Sequence, residues 1–123
     1  MSAPSDHVKF LIVDDNPSMR QTIGRIIAQE GDEMIECDDG KDAAAMYRQH
    51  RPDWVLMDIN MKEVGGIEAT EQILQLDSHA RVVIVTEYGD RFFRKAAQDA
   101  GAAAFVSKEN VFELKNIIGR ELR

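Results

Sequence analysis

The run Arg81-Val82-Val83-Ile84-Val85-Thr86 constrains the fold more than any other stretch. It is β-branched and apolar at successive positions, so a strand built from it has two faces to cover. Strands of that kind belong to parallel sheets with helices on both sides. Four further runs read as strands: Val8 to Val13, Met34 to Cys37, Trp54 to Asp58, and Ala103 to Ser107. The Trp54 run follows the turn signal Arg51-Pro52-Asp53 and stops on an acid, followed by Ile59-Asn60-Met61 and a Gly65-Gly66 turn.

Between these runs the apolar period changes to that of helices. Asn16-Pro17 offers a cap and a first-turn proline, and Met19, Ile23, Ile26 and Ile27 form one stripe that Gly31 is expected to close. Asp38-Asp39-Gly40 reads as a turn, and Asp42 to Gln49 as a helix with Ala43, Met46 and Tyr47 inward. Ile67, Thr70, Ile73 and Leu74 mark a third helix ending near Asp77-Ser78. Phe93, Ala96, Ala97 and Ala100 mark a fourth, closed by Gly101, and Val111, Leu114, Ile117, Ile118 and Leu122 a fifth. Five strands alternating with five helices predict an α/β fold, a parallel sheet covered on both faces with right-handed crossovers. No linker or repeat interrupts the 123 residues, so residues 1–123 read as a single domain.

Fifteen basic against 22 acidic residues give a net charge of -7. That argues against direct nucleic acid binding and against an anionic membrane surface. No apolar run approaches the length of a membrane span, and Met1 to His7 is too polar for a signal peptide. The lone Cys37 lies in an apolar run and reads as a buried thiol, which fits a cytoplasmic setting. His7, His50 and His79 share no metal-ligand spacing.

Ligands of an open parallel sheet bind beyond the carboxyl ends of its strands. Here those ends carry Asp14-Asp15 after the first strand, Asp58 after the third, Thr86 on the fourth and Lys108 after the fifth. Three acids brought together repel one another unless a cation joins them, and hard oxygen donors suit Mg²⁺. A carboxylate beside such an ion can act as a nucleophile towards phosphorus. Lys108 would neutralise phosphoryl oxygens and Thr86 would donate to one, and this transfer needs little beyond positioning and electrostatics.

With those residues in order, the sequence resembles the receiver domain of two-component response regulators from Val8 to Leu122. The matching residues are Asp14-Asp15, Asp58-Ile59-Asn60-Met61, Gly65-Gly66-Ile67, Thr86, Gly101-Ala102 and Lys108. The resemblance implies a flavodoxin-like doubly wound five-stranded sheet in the order 2-1-3-4-5. It implies that Asp58 is the phosphoacceptor, assisted by Thr86 and Lys108. It places Mg²⁺ with Asp14, Asp15, Asp58 and Asn60, the last through its backbone carbonyl. Thr86 and Phe105 correspond to a switch pair. The implied partners are a histidine kinase or histidine phosphotransfer protein upstream and an output protein or domain downstream. The chain would catalyse only its own phosphorylation and dephosphorylation.

Three positions depart from the family's habit: Lys62 where Pro is frequent, Glu87 where a small residue commonly follows the threonine, and Glu109 where Pro commonly follows the lysine. Each site residue also has a plainer reading: Asp14-Asp15 as helix-capping acids, Thr86 as a strand end, Lys108 as a solvated cation, Phe105 as core. An aspartate-nucleophile phosphatase is the alternative from another class; such enzymes usually carry a second acid where Asn60 stands. A receiver-like module that binds without being phosphorylated is the third. Arg91, Arg94 and Lys95 on the fourth helix read either as a solvated face or as part of an output surface with the fifth strand and last helix. No DNA-binding segment follows Leu122, so the expectation is a stand-alone receiver or part of a longer regulator.

Overall fold

The computed structural model describes residues 7–61, 64–87 and 91–119. In chain order they form β1 (Lys9–Val13), α1 (Pro17–Ile27), β2 (Glu33–Cys37), α2 (Gly40–His50), β3 (Trp54–Met57) and α3 (Gly66–Leu76). The chain continues with β4 (Val82–Thr86), α4 (Arg91–Ala100), β5 (Ala104–Ser107), a 3₁₀ turn at Lys108–Asn110 and α5 (Glu113–Ile118). The strands pair in parallel in the order β2-β1-β3-β4-β5, as the resemblance implied. The switch in strand order lies at β1 and β3, which places the ends of those two strands at the ligand crevice.

Alternate residues of the central strands enter two separate cores. Leu11, Val13, Val55, Met57, Val82 and Ile84 pack with Ala43 and Tyr47 of α2, Ala69 and Ile73 of α3, and Ala97 of α4. Phe10, Ile12, Trp54, Leu56, Val83 and Val85 pack on the other face with Ile23 and Ile27 of α1 and Leu114 of α5. The five residues of β4 are all buried, as an uninterrupted apolar run requires when both faces are covered.

Several helix ends differ from expectation. α1 stops at Ile27, and Gly31 (φ +91°) lies instead in the turn that follows. The Asp32 carboxylate ends the helix early, accepting from the backbone N–H of Gln29 and of Val8 and so tying that turn to the start of β1. α2 begins two residues sooner, at Gly40, because Asp39 caps it by accepting from the Lys41 N–H. On α3 the buried face is Gly66, Ala69, Thr70 and Ile73, while Ile67 and Leu74 are half-buried. Thr70 tolerates full burial because its hydroxyl donates to the Gly66 carbonyl. The last helix is shorter than its apolar stripe, preceded by the 3₁₀ turn and closed by Gly119 at φ +83°. Leu122 and Lys62 lie outside the described residues.

Candidate functional site

β1 and β3 are neighbours, and each is followed by an acid. Asp58 donates its backbone N–H to the Val13 carbonyl at 2.9 Å, continuing the ladder one step beyond β3. Asp14 donates its own N–H to Cys37 on β2 at 3.0 Å. Both acids are thus fixed by backbone bonds to adjacent strands, and both are buried, Asp14 at 1% and Asp58 at 6% exposure. The turn after Asp14 closes locally: Asp14 Oδ1 accepts from the Asn16 N–H at 2.9 Å, and Asn16 caps α1 by accepting from Ser18 and Met19.

The loop after Asp58 is folded tightly against the start of α3. Gly66 donates to the Ile59 carbonyl at 2.8 Å, and a β-carbon at Gly66 would overlap the Asp58 carbonyl oxygen. Only glycine permits that approach. Asp58 Oδ1 accepts from the Ile59 N–H at 2.9 Å, which leaves Oδ2 towards Lys108.

Asp14, Asp15 and Asp58 each offer a carboxylate oxygen, and these oxygens lie within 4.8 Å of one another. With Asn16, Asn60, Glu87 and Lys108 they line one cleft of about 140 Å³. Lys108 Nζ is 3.0 Å from Asp14 Oδ2 and 3.6 Å from Asp58 Oδ2. Burial, reinforced by the Asp14 charge, pushes the Asp58 carboxyl up to about 6, against the counteracting Lys108 ammonium and Ile59 N–H. Burial acts to lower the Lys108 ammonium, but its Asp14 contact and the Asp58 charge outweigh burial and raise it. The site therefore carries more negative charge than one lysine can balance. Asp14 Oδ2 is buried and, beyond its ion pair with Lys108, has no hydrogen-bond partner. A small divalent cation with hard-oxygen preference fits this donor set.

The structure brings together Asp14, Asp15, Asp58, Asn60 and Lys108, all at the cleft. Thr86 is fully buried at the end of β4 and does not line it. Phe105 sits on β5 opposite Ile84, two register positions before the Thr86–Ser107 pair. Strand alternation puts Thr86 and Phe105 on the same face of the sheet, the one covered by α4. The Phe105 ring is half-buried, with the Arg94 guanidinium 4.7 Å from its centroid. Arg94 is therefore not a plain solvated cation, and Lys95 ion-pairs with Asp99 at 2.6 Å. The Lys108–Glu109 peptide, where the family commonly has proline, is trans. Of the departures, Glu87 does face the cleft.

Two residues near the site have structural roles that the sequence reading missed. Arg20 of α1 donates to the Asp14 carbonyl at 2.6 Å and pairs with Glu36 of β2 at 2.7 Å. Asp39, buried at the start of α2, accepts from the Val64 N–H at 3.4 Å, linking that helix to the loop after Asp58. Neither role has a local motif, because each spans elements distant in sequence.

Comparison with known proteins agrees with this geometry. Residues 10–118 match the family model described as response regulator receiver domain. The chain is 39% identical over 101 residues to the chemotaxis protein CheY of Bacillus subtilis, covering 81% of this chain and 84% of that protein. Among solved structures, it superposes with TM-score 0.84 and 35% identity on a LuxR-family two-component response regulator from Aurantimonas, covering 94% and 88% of the two chains. It superposes with TM-score 0.80 and 26% identity on a chain of the CheX–CheY–BeF3–Mg²⁺ complex of Borrelia burgdorferi, covering 92% and 90%. The chain belongs to the response regulator receiver domain family.

Proposed function

We propose that this chain, as one receiver unit over residues 1–123, accepts a phosphoryl group on Asp58 from a phosphohistidine of a histidine kinase or phosphotransfer protein. The observation that carries this reading is the meeting of Asp58, Asp14, Asp15 and Lys108 in one cleft. In the transfer an Asp58 carboxylate oxygen attacks phosphorus, the phosphorus–nitrogen bond breaks, and the imidazole leaves with the electron pair of that bond. The geometry supports Asp58 as nucleophile: the neighbouring N–H of Ile59 orients one oxygen, and the other faces the cleft.

Magnesium, held by Asp14, Asp15, Asp58 and the backbone carbonyl of Asn60, would neutralise charge on the phosphoryl oxygens. Lys108 would turn from the acids to those oxygens, a short move for a side chain already between Asp14 and Asp58. Thr86 would approach them by movement of the segment after β4, and the Phe105 side chain on the same sheet face would follow. That coupled pair makes the domain a two-state switch whose balance the phosphoryl group shifts. The output partner would read the change at α4, β5 and α5. Loss of the phosphoryl group by hydrolysis would reset it. A cytoplasmic location belongs to this reading; no helix among the described residues is long and apolar enough to cross a membrane.

Incubation with a small acyl phosphate and Mg²⁺ should add one phosphoryl group by intact mass. Asp58→Asn should abolish the addition, and chelation of the metal should prevent it. Undiminished labelling of the Asp58→Asn variant would reject the assignment.

A further inference from the structure

Arg20 is the one cation among the described residues shown to bond the backbone of the acid turn. Its Nη1 donates to the Asp14 carbonyl at 2.6 Å, and its Nε is 2.7 Å from Glu36 Oε1. The Arg20 side chain is 15% exposed, whereas Glu36 is half-exposed. The guanidinium thus lies under the turn with its Nε and Nη1 donors both engaged, by two different elements.

The Asp14 carbonyl belongs to the peptide that leads into Asp15. That peptide is planar, so fixing its oxygen fixes the direction in which the Asp15 backbone departs. The Asp14 N–H is held by Cys37, and the Asp14 carboxylate by Asn16. Arg20 supplies the remaining restraint, and it is anchored from outside the turn: Glu36 is paired in register with Ile12 on β1. The Glu36–Arg20–Asp14 chain therefore ties the acid turn to both β2 and α1.

We infer that Arg20 is a positioning residue for the divalent cation, acting by holding the Asp14–Asp15 turn so that both carboxylates converge. The inference rests on the cation site described above. It has an unusual sign. By charge alone, an arginine near three acids opposes cation binding, so its removal should tighten the site. Positioning predicts the reverse, because the two carboxylates lose a shared orientation.

The test is Mg²⁺ titration of the full chain by calorimetry and by backbone NMR shifts, on wild type, Arg20→Ala and Arg20→Lys. Arg20→Ala should weaken Mg²⁺ about tenfold, the scale seen when outer partners of metal ligands are removed. Arg20→Lys keeps the charge but not the fork, and should weaken binding about threefold by the same principle. It also serves as the second variant if Arg20→Ala folds poorly. In acyl phosphate labelling, the Mg²⁺ concentration for half-maximal rate should rise in step, while the rate at saturating Mg²⁺ returns towards wild type. Equal or tighter Mg²⁺ binding in the folded variants overturns the role of Arg20. Absence of Mg²⁺ binding by wild type instead rejects the cation site itself.

Discussion

Lys108 stands closer to Asp14 than to Asp58, 3.0 Å against 3.6 Å. The lysine proposed to bind the phosphoryl oxygens is thus first a counter-ion for a buried acid. Replacing it should separate two roles. Lys108→Ala should slow labelling of Asp58 about 100-fold, the scale for loss of one preorganised charge-stabilising group. Mg²⁺ binding should stay equal or tighten, because the ammonium competes with the metal for Asp14. Parallel loss of both properties in titration and labelling would mean that Lys108 only maintains the fold.

Asp58 carries a pH signature. Its folded value is pushed up to about 6 from 3.8, by burial first and then by Asp14. The folded state therefore binds the Asp58 proton more tightly than the unfolded chain does. Its contribution without metal is neutral below the unfolded value, turns unfavourable as pH rises from about 4 to 6, and stays so above. Asp58→Asn should then stabilise the metal-free protein at pH 7 by about 1–2 kcal/mol, after allowance for solvent at the open cleft. Urea melts from pH 4 to pH 8 should show that advantage shrinking towards zero at the acid end. A difference independent of pH would contradict the buried-acid account.

Gly66 sets two effects against each other. Ala in place of Gly in a helix normally gains about 0.5–1 kcal/mol. Here the added carbon would overlap the Asp58 carbonyl, and overpacking against backbone costs about 1–3 kcal/mol. The overlap should win, so Gly66→Ala should lower the melting temperature and also weaken Mg²⁺ binding by displacing Asp58. An unchanged or higher melting temperature would show that the loop has room to shift.

The Arg94–Phe105 stack should bias the proposed switch. A contact of this kind at an exposed site is worth about 0.5–1 kcal/mol, or a factor of about 2–5 in a population. Removing it by Arg94→Ala should redistribute the Phe105 side chain in the free protein and raise beryllofluoride affinity by a similar factor, if the stack holds the unphosphorylated state. Aromatic NMR of Phe105 and beryllofluoride titration give the two readouts. Unchanged spectra and affinity would leave Arg94 as a packing residue only.

The fold was legible because its signals are local. The apolar runs at Val82–Val85 and Phe10–Val13 state that both faces are covered, and the change to helical period between them states by what. The acids after β1 and β3 and the lysine after β5 were legible for the same reason: a strand end delivers its next residue to a known edge of the sheet. Helix ends were less so. Gly31 looks like a terminator, yet α1 ends at Ile27 because Asp32 reaches back to Gln29 and across to Val8.

By itself, then, the sequence determined the layers of the fold and which chemical groups gather at one edge. The tertiary structure alone decided how those groups pair. Arg20 reads as one more polar helix residue until β2 lies beside β1 and brings Glu36 to it. Arg94 reads as solvated until α4 packs beside β5 and sets it over Phe105. Lys108 reads as a partner of Asp58, but its shorter contact is with Asp14. Periodicity and residue type are properties of neighbours along the chain. An ion pair or a stacked ring depends on ångström distances between segments far apart in it, and those exist only once the sheet order and helix packing are fixed.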